Sequence, residues 1–265
     1  MTAPRSDETK AHPARIYSYL LGGKNHAAAD RAAAEVALNA QPDLREMATA
    51  NRAFLHRTVS YLAKRGITQY LDIGPGYPDA GNTAEVSRAH QLRARVAFAD
   101  YDPYVVAHTR ALLESTGAAH TAVVHADLRT PTEILEHPHV KKLFDFDQPI
   151  AVLLVAVLHF IGAEDDPASI VATLRGALAP GSALVISHGT DGGQPERAAA
   201  TAKGWETATS PVTVRSPDEI RELFAGFELV DPGIVPIAQW RPDSQLEADR
   251  ERIWVHGGIG ILPEP

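Results

Sequence analysis

The stretch YLDIGPGYPDAGN, from Tyr70 to Asn82, decides how the chain folds. A short apolar run contains Asp72 near its end, and Gly74 and Gly76 follow within four residues. A buried strand that leads into a glycine turn is typical of the first β-α unit of an open parallel sheet. Such sheets bind their ligands at the carboxyl ends of the strands. The stretch therefore predicts a ligand-binding turn.

Strand and helix patterns alternate after this turn, which predicts a doubly wound, mostly parallel α/β sheet with helices on both faces. The predicted strands cover residues 69–73, 95–99, 121–125, 150–158 and 180–188. The predicted helices between them cover residues 82–91, 103–115, 132–136 and 167–178. Two last β-rich segments, FELVDPGIVPI and RIWVHGGIGIL, have no crossover helix between them. We expect them to form an antiparallel hairpin that completes a seven-stranded sheet.

The first strand is preceded by a helical extension. Residues 1–12 are polar, so we expect a disordered tail. A short helix and an alanine-rich helix are predicted within residues 14–38, on either side of Gly22 and Gly23, and a longer helix over residues 42–66. Residues 191–210 read as a further helix, and SPDEI opens another with Ser216 and Glu219 as a capping box.

Composition and charge exclude several classes of protein. The chain of 265 residues has no cysteine, so it has neither disulfides nor a thiolate metal site. A formal charge of -8 argues against a nucleic-acid partner. The histidines show no tight ligand spacing, so we predict no metal site. The N-terminus is no signal peptide and the apolar run at 150–160 is too short for a bilayer, so we expect a cytoplasmic protein with no membrane partner.

Three ligands compete for the glycine turn. A nucleoside triphosphate loop requires a lysine after its glycines, and none follows here. A dinucleotide site requires a third glycine, but Asp79 holds that position and would repel a pyrophosphate. An NAD-dependent oxidoreductase is therefore the poorer alternative.

S-adenosylmethionine, the third ligand, carries an amino group, a ribose diol and an adenine but no phosphate. Asp72, Asp100 and Asp127 fall at the carboxyl ends of three successive predicted strands, and they could accept hydrogen bonds from these groups in that order. Gly74 and Gly76 would let the backbone approach the methionine portion. The predicted site also includes the residues beside the second and third acids: Tyr101, Asp102 and Leu128.

The chain resembles the class I S-adenosylmethionine-dependent methyltransferases, and more narrowly an actinobacterial methyltransferase family long labelled as a domain of unknown function. The matching stretches are ARIYSYLLGGKNHAAADR, ANRAFLHR, YLDIGPGYPDAGN, DYDP, ADLRTPTEIL, LLVAVLHFI, APGSALVISH and PGIVPIAQWRPD. They cover nearly the whole chain. The resemblance implies a Rossmann-like fold and S-adenosylmethionine as cofactor, with S-adenosylhomocysteine as product, but no established acceptor.

The resemblance also implies a division of one domain, residues 13–265, into three parts. Residues 13–66 would form a helical lid, 67–190 the cofactor-binding core, and 191–265 the acceptor-side helices and closing hairpin. In the lid, Gly22 and Gly23 would be the hinge. The lid residues expected near the cofactor are Tyr17, Lys24, Asn51 and Arg52, the last three at its carboxylate; packing of these side chains is the alternative.

His159 and His188 follow the fourth and fifth strands, where a general base could face the acceptor. The alternative is that each ring is hydrogen-bonded to backbone at a strand end. The fourth strand lacks the Asn/Asp-Pro-Pro-aromatic motif of enzymes that methylate nucleic-acid bases, which favours a small acceptor. Trp240 and Arg241 could line the acceptor pocket, although Trp240 could equally cover the sheet edge.

The functional prediction is methyl transfer from S-adenosylmethionine to a small-molecule acceptor, with secondary metabolism as a hypothesis for its role. Pro75, Asp79 and Ala84 stand where the family usually has serine, threonine and histidine. These departures favour an alternative, a non-catalytic S-adenosylmethionine-binding module that acts as a sensor or partner. The apolar edges of the predicted hairpin also raise the hypothesis of a homodimer.

Overall fold

A central sheet of eight strands organises the protein. The computed structural model describes residues 9–78, 81–115, 119–191, 211–244 and 254–264. The strands are β1 (Gln69–Ile73), β2 (Arg95–Asp100), β3 (Thr121–His125), β4 (Ala151–Val155), β5 (Ala183–Gly189), β6 (Glu228–Leu229), β7 (Val235–Pro236) and β8 (Val255–Ile261). Their order is β3-β2-β1-β4-β5-β8-β6, and β7 also pairs with β8. The first five strands are parallel, whereas β6 and β7 run antiparallel to β8, as does β5.

Helices cover the sheet and extend it at the N-terminus. They are α1 (Pro13–Leu20), α2 (Ala28–Ala40), α3 (Leu44–Lys64), α4 (Thr83–His90), α5 (Pro103–Ser115), α6 (Pro131–Leu135), α7 (Pro138–Leu143), α8 (Pro167–Gly176) and α9 (Pro217–Glu222). No helix in the described ranges is both long and apolar enough to cross a membrane.

The predicted fold class is confirmed, with two local differences. The seventh position of the sheet is shared by β6 and β7, which residues 230–234 separate, so the predicted hairpin strand is broken in two. Strand β4 ends at Val155 and not at 158, because Ala156 turns the chain with a φ of 55°. A short 3-10 helix, Leu158–Phe160, then follows.

Two apolar layers, one on each face of the sheet, form the core. Strands β1, β4 and β5 are buried on both faces, and alternate residues of each strand face opposite layers. One layer packs the sheet against α6, α7 and α8. The other packs it against α3, whose Phe54, Leu55, Val59 and Leu62 are buried there. This double burial fixes the strand ends, from which the site is built.

Asp30 fastens the helical extension together. Its fully buried carboxylate accepts hydrogen bonds from the backbone N–H of His12 at 2.9 Å and from that of Ala27 at 2.6 Å. It also forms a 2.7 Å ion pair with Arg15. The starts of α1 and α2 are thus joined through one side chain.

The N-terminal tail is shorter than the sequence predicts. Ala11 and His12, which we placed in the tail, are buried, because His12 caps α1 and bonds to Asp30. The predicted helix at 191–210 falls almost wholly outside the described residues. The capping box of α9 is confirmed, since the N–H of Ser216 donates to Glu219 Oε2 and the N–H of Glu219 donates back to Ser216 Oγ.

Candidate ligand site at the strand ends

A cavity of about 220 Å³ lies at the carboxyl ends of β1 to β5, with the helical extension on its other side. The sequence-predicted site residues that line it are Tyr17, Asn51, Arg52, Asp72, Gly74, Gly76, Asp100, Tyr101, Asp127, Leu128 and His159. The fold therefore brings together residues from the lid and from four consecutive strand ends. Among the described residues, no group of three or more His, Asp or Glu side chains could hold a metal ion.

Asp72 lies near the end of β1 and is almost fully buried. Its Oδ2 accepts a 2.6 Å hydrogen bond from the Thr83 hydroxyl at the start of α4. Burial raises the pKa of the Asp72 carboxyl to about 6, while the Thr83 hydrogen bond and the nearby charge of Arg52 lower it. The other carboxylate oxygen is not used by Thr83 and can accept from a cationic ligand group.

Asp100 ends β2 and is 7% exposed. Its Oδ1 accepts a 2.9 Å hydrogen bond from the N–H of Asp102, which holds the carboxylate at the cavity edge. Burial raises the pKa of Asp100 to about 7, and hydrogen bonds from the Asp102 and Gly76 backbone oppose that rise. A buried carboxylate of this kind is stabilised by a ligand that donates hydrogen bonds to it.

The glycine turn between β1 and α4 requires glycine for two different reasons. Gly74 and Gly76 have φ values of 70° and 68°, in the left-handed region that side chains disfavour. A Cβ at Gly74 would lie 2.9 Å from Val157 Cβ and would overlap Cγ2. At Gly76 the nearest atom would be Ala14 Cβ, 4.0 Å away. Only Gly74 is therefore also a point of close packing.

Asp127 lies at the cavity, but its carboxylate already has a partner. Arg129 donates to it from the backbone N–H at 2.9 Å and from its guanidinium at 3.0 Å. The same guanidinium reaches Asp165 at 2.9 Å. Asp127 is therefore less available to a ligand than its position after β3 suggests.

His159 follows the β4 turn, and its ring lines the cavity. Its Nδ1 is buried and has no hydrogen-bond partner among the described residues. Burial, together with the neighbouring His188 and Arg215, lowers the pKa of His159 to about 3. The ring is therefore neutral near pH 7, and one of its nitrogens offers a lone pair.

His188 lies behind His159 and outside the cavity lining, with its ring 5.6 Å from that of His159. Arg215 can only donate, so His188 Nε2 accepts from it at 2.6 Å and Nδ1–H donates to the Gly189 carbonyl at 2.7 Å. Burial lowers the pKa of His188 to about 4. Both ring nitrogens are engaged within the protein, so the predicted catalytic role of His188 gains no support from this placement.

Arg215 ties this histidine to the His159 turn. Its guanidinium donates to the carbonyls of Leu158 and Ile161, at 3.0 and 2.8 Å. The neighbouring N–H of Thr213 donates to the carbonyl of His159 at 2.7 Å. The turn that carries His159 is therefore fixed from both sides.

Some predicted site residues lie outside the cavity lining. Gly22 and Gly23 form a turn that folds back on α1, where the N–H of Gly23 donates to the Ser18 carbonyl at 2.8 Å. The side chain of Lys24 is exposed to solvent. Asp102 is buried, because its Oδ1 accepts from the N–H of Tyr104 at the start of α5. Their predicted contacts with a ligand gain no support from this placement.

His12 is a cavity residue that the sequence did not reveal. Its Nε2 lies 2.9 Å from the Tyr101 hydroxyl, and its Nδ1 lies 3.4 Å from Asp102 Oδ2. Burial lowers the pKa of His12, although the charge of Asp102 opposes this shift. The residue joins the lid to the end of β2, across a sequence distance that no local motif spans.

The cavity wall opposite the acids is apolar. From β4 and the segments after it come Val155, Val157, Phe160, Ile161, Val212, Val214, Trp254 and Val255. Lid residues Leu20, Leu44 and Met47 complete this wall. Trp240, by contrast, is fully buried between Phe54 and Tyr61, which supports its packing role.

The ends of β4 and β5 are linked to the lid by hydrogen bonds. The Ser187 hydroxyl donates to Asn51 Oδ1 at 2.6 Å and accepts from the N–H of Ala156 at 2.9 Å. Asn51 Nδ2 donates to the Tyr17 hydroxyl at 3.0 Å, which donates to the Ala48 carbonyl at 3.1 Å. Both polar atoms of Asn51 are hydrogen-bonded within the protein, so its predicted contact with a ligand carboxylate gains no support from this placement.

Comparison with known proteins gives one family. The family model described as S-adenosyl methyltransferase matches residues 1–263. A candidate methyltransferase from Thermobifida fusca YX is 40% identical, with 97% of each chain covered and a TM-score of 0.91. A DUF574 family protein from Streptomyces avermitilis MA-4680 is 36% identical, with 98% of this chain and 100% of that chain covered and a TM-score of 0.92.

A more distant likeness concerns the fold alone. An O-methyltransferase family protein from Burkholderia thailandensis is 15% identical, with 84% of this chain and 61% of that chain covered and a TM-score of 0.53. A search of curated protein sequences finds no match.

Proposed function

Because the chain belongs to the S-adenosyl methyltransferase family, we propose that it transfers the methyl group of S-adenosylmethionine to a small, uncharged acceptor. One observation carries the proposal: a single cavity joins an edge that bears buried acids to an apolar wall that bears His159. The first edge suits a cationic cofactor rich in hydrogen-bond donors. The second suits an apolar partner placed beside it.

The residues of the first edge fit the cofactor. Asp100 would accept from ribose hydroxyls, since a buried carboxylate favours a ligand that donates to it. Asp72 would accept from the amino group, and Arg52 lies near enough to influence Asp72 and to neutralise a ligand carboxylate. Gly74 and Gly76 leave the backbone of the turn open to close approach.

The protein's own contribution to the reaction is positioning and exclusion of water. Bound S-adenosylmethionine supplies an electrophilic methyl group on a sulfonium, which is a good leaving group. The apolar wall orders an acceptor against that edge and keeps water away. His159 holds the acceptor through a hydrogen bond from an acceptor hydroxyl to its ring nitrogen. With a pKa near 3 it is a weak base, so it orients this hydroxyl and does not take up its proton, which is released to solvent once the methyl group has been transferred to the oxygen.

The acceptor is uncharged because of how charge is distributed around the cavity. Among the described lining residues, the carboxylates and arginines all lie on β1, on β2, on the loop after β3, or on α3. The described lining residues on or next to β4, β5 and β8 offer His159, Thr190 and the indole of Trp254 as polar side chains, and no carboxylate, lysine or arginine. A carboxylate or an ammonium on the acceptor would there be desolvated without a charged partner, at considerable cost.

The non-catalytic alternative is weakened at one of its three departures. Ala84 is buried in the apolar layer beside α3 and is outside the cavity lining. Having alanine there in place of the family's histidine therefore removes no group from the described cavity. Pro75 does line the cavity, and Asp79 lies outside the described residues. This alternative predicts cofactor binding without a methylated product from any acceptor.

Calorimetry tests the cofactor first. The protein is titrated with S-adenosylmethionine, S-adenosylhomocysteine and NAD. We expect micromolar binding of the first two and none of NAD. Binding of NAD alone would overturn the proposal.

Turnover with matched acceptors tests the rest. 1-Naphthol, 1-naphthoic acid and 1-naphthylmethylamine share one ring system and differ in charge. With S-adenosylmethionine present, mass spectrometry should detect a methylated product from the naphthol and none from the charged pair. Methylation of the acid or the amine in preference to the naphthol would overturn the uncharged-acceptor proposal and leave the cofactor assignment intact.

A further inference from the structure

A directional chain of hydrogen bonds runs from the lid to the end of β4. The N–H of Ala156 donates to Ser187 Oγ, whose hydroxyl donates to Asn51 Oδ1. On the other side of the same amide, Asn51 Nδ2 donates to Tyr17, which donates to the Ala48 carbonyl. Each hydroxyl in the chain both donates and accepts, so no member can turn without breaking a neighbouring bond.

The chain ends on a strained residue. Ala156 has a φ of 55°, in the left-handed region where its Cβ is disfavoured, and it lines the cavity. Its N–H donates both to Ser187 Oγ at 2.9 Å and to the Ser187 carbonyl at 3.1 Å. Strain of this kind persists only where the surroundings hold it, and it often marks a functional site.

The strained turn sets the position of two cavity residues. It directs Val157 against Gly74, in the space that a Cβ at Gly74 would occupy, and it carries His159 into the cavity. Val157 thus touches the turn expected to hold the cofactor, while His159 faces the acceptor. A change at Ala156 would therefore move both sides of the reaction centre.

We propose that Asn51 and Ser187 are positioning residues that couple the seating of helix α1 to the strained Ala156 turn, and so to the cofactor. This inference rests on the proposed function. Because such coupling is reciprocal, a cofactor bound against Gly74 and Val157 favours the seated lid, and a seated lid favours the cofactor. Neither residue needs to touch the cofactor for this to hold.

The first test measures S-adenosylhomocysteine affinity by calorimetry in variants that break the chain at either end. Tyr17→Phe removes the lid hydroxyl, and Ser187→Ala removes the central hydroxyl while the carbonyl of residue 187 still pairs with Ala156. We expect each variant to bind about 10-fold more weakly, as for a lost buried hydrogen bond. The double variant should lose about the same factor, because both changes break one chain.

Matched controls lie elsewhere in the same sheet. Ser182 Oγ accepts from the N–H of Ile150 at 3.0 Å at the opposite ends of β4 and β5, and is the geometric counterpart of Ser187. The Tyr70 hydroxyl donates to the Ile67 carbonyl at 2.7 Å and is buried away from the cavity lining. Ser182→Ala and Tyr70→Phe should lower the melting temperature and leave the affinity within about 2-fold of wild type.

Rescue by glycine separates positioning from simple damage. Glycine adopts a positive φ without strain, so Ala156→Gly no longer depends on the network. Ala156→Gly combined with Ser187→Ala should bind within about 3-fold of wild type. The proposal is overturned if Ser187→Ala weakens binding no more than Ser182→Ala does, or if the glycine gives no recovery.

Hydrogen exchange of the ligand-free protein keeps the test independent of the cofactor. Tyr17→Phe should speed amide exchange across residues 155–161, whereas Tyr70→Phe should leave that segment at the wild-type rate. Unchanged exchange with Tyr17→Phe would refute the coupling even if S-adenosylhomocysteine bound normally. Faster exchange without cofactor binding in the wild type would instead refute the proposed function alone. Tyr17→Phe also carries the test if Ser187→Ala does not fold.

Discussion

The two halves of the cavity are built in different ways. The cofactor half comes from acids and glycines at or just beyond the ends of consecutive strands: Asp72 lies near the end of β1, Asp100 ends β2 and Asp127 follows β3. The acceptor half comes from the β4 turn, the lid and segments far apart in sequence, such as Phe160, Val212 and Trp254. The geometry of the first half is common to parallel β-α units. The geometry of the second half is particular to this chain.

The halves also differ in the chemistry they can perform. Asp72 and Asp100 are buried acids whose raised pKa values favour a ligand that supplies positive charge or hydrogen bonds. The opposite wall has one neutral imidazole and few other polar groups among the described residues. The polar half thus suits the proposed cofactor, and the apolar half suits the proposed uncharged acceptor.

The largest effect on stability is expected at the seam between the halves, which is the contact between Gly74 and Val157. Gly74→Ala places a Cβ against Val157 and forces alanine to adopt a φ of 70°. We expect the free energy of unfolding to fall by about 3 kcal/mol, from strain and overlap together, as measured by chemical denaturation.

Gly76→Ala is the control for this seam. It has nearly the same φ, and its Cβ would have 4.0 Å of clearance, so it should cost about 1–2 kcal/mol from strain alone. Val157→Ala should relieve part of the Gly74→Ala loss and none of the Gly76→Ala loss. Equal losses for the two alanines would show that the halves do not touch tightly at Gly74.

The cofactor half is tested most directly at Asp100. Asp100→Asn keeps an oxygen that can accept from the N–H of Asp102. It removes the negative charge of the carboxylate that would accept hydrogen bonds from the ribose hydroxyls. We expect S-adenosylhomocysteine to bind about 100-fold more weakly in calorimetry, because two charge-assisted hydrogen bonds weaken. Asp145→Asn is a matched control, since Asp145 Oδ1 accepts from the N–H of Asp147 in the same i to i+2 arrangement. An affinity unchanged in Asp100→Asn would remove the ribose contact from the proposal.

Much of the cofactor half could be predicted from the sequence, and little of the acceptor half. Asp72, Gly74 and Asp100 were found because a strand, an acid and a glycine turn are local in sequence and their geometry follows from the sheet. Ser187 and Asn51 meet across 136 residues, so their pairing depends on how α3 packs on β5. Local spacing carries no information on such a contact.

Contacts from distant segments modify two of the predicted strand ends. His188 was placed at a strand end correctly, but Arg215 from a distant segment occupies its ring nitrogen. The early end of β4 follows from the left-handed Ala156, a conformation that sequence alone gives no cause to expect of alanine. In both places tertiary contacts override the local pattern.

The pH dependence of stability distinguishes the halves in the ligand-free protein. The pKa of Asp100 is raised from an ordinary 3.8 to about 7, so the folded state holds more protons than the unfolded state between these values. The stabilisation from this group is thus present below pH 4 and is lost as the pH rises through 7. The free energy of unfolding of the wild type minus that of Asp100→Asn is measured by denaturation at pH 5 and pH 8. This difference should fall by about 1–3 kcal/mol with rising pH.

The acceptor half should give the opposite sign. Burial lowers the pKa of His159 from 6.5 to about 3, so its contribution to stability is gained as the pH rises through that interval. The free energy of unfolding of the wild type minus that of His159→Gln should therefore rise between pH 4 and pH 7, by about 1 kcal/mol or more. The same sign for both residues would mean that burial does not control their titration.

The smallest effect is expected at Asp127, in the cofactor half. Its carboxylate is already paired with Arg129, which also reaches Asp165, so a ligand must share it. Asp127→Asn should weaken S-adenosylhomocysteine by only about 3-fold, since a partly exposed and shared carboxylate loses little. Arg129→Gln releases that carboxylate, and should strengthen binding by a similar factor if Asp127 meets the adenine amino group. A 100-fold loss in Asp127→Asn would show that Arg129 yields the acid to the ligand, and Asp127 would then rank with Asp100 as a principal anchor of the cofactor.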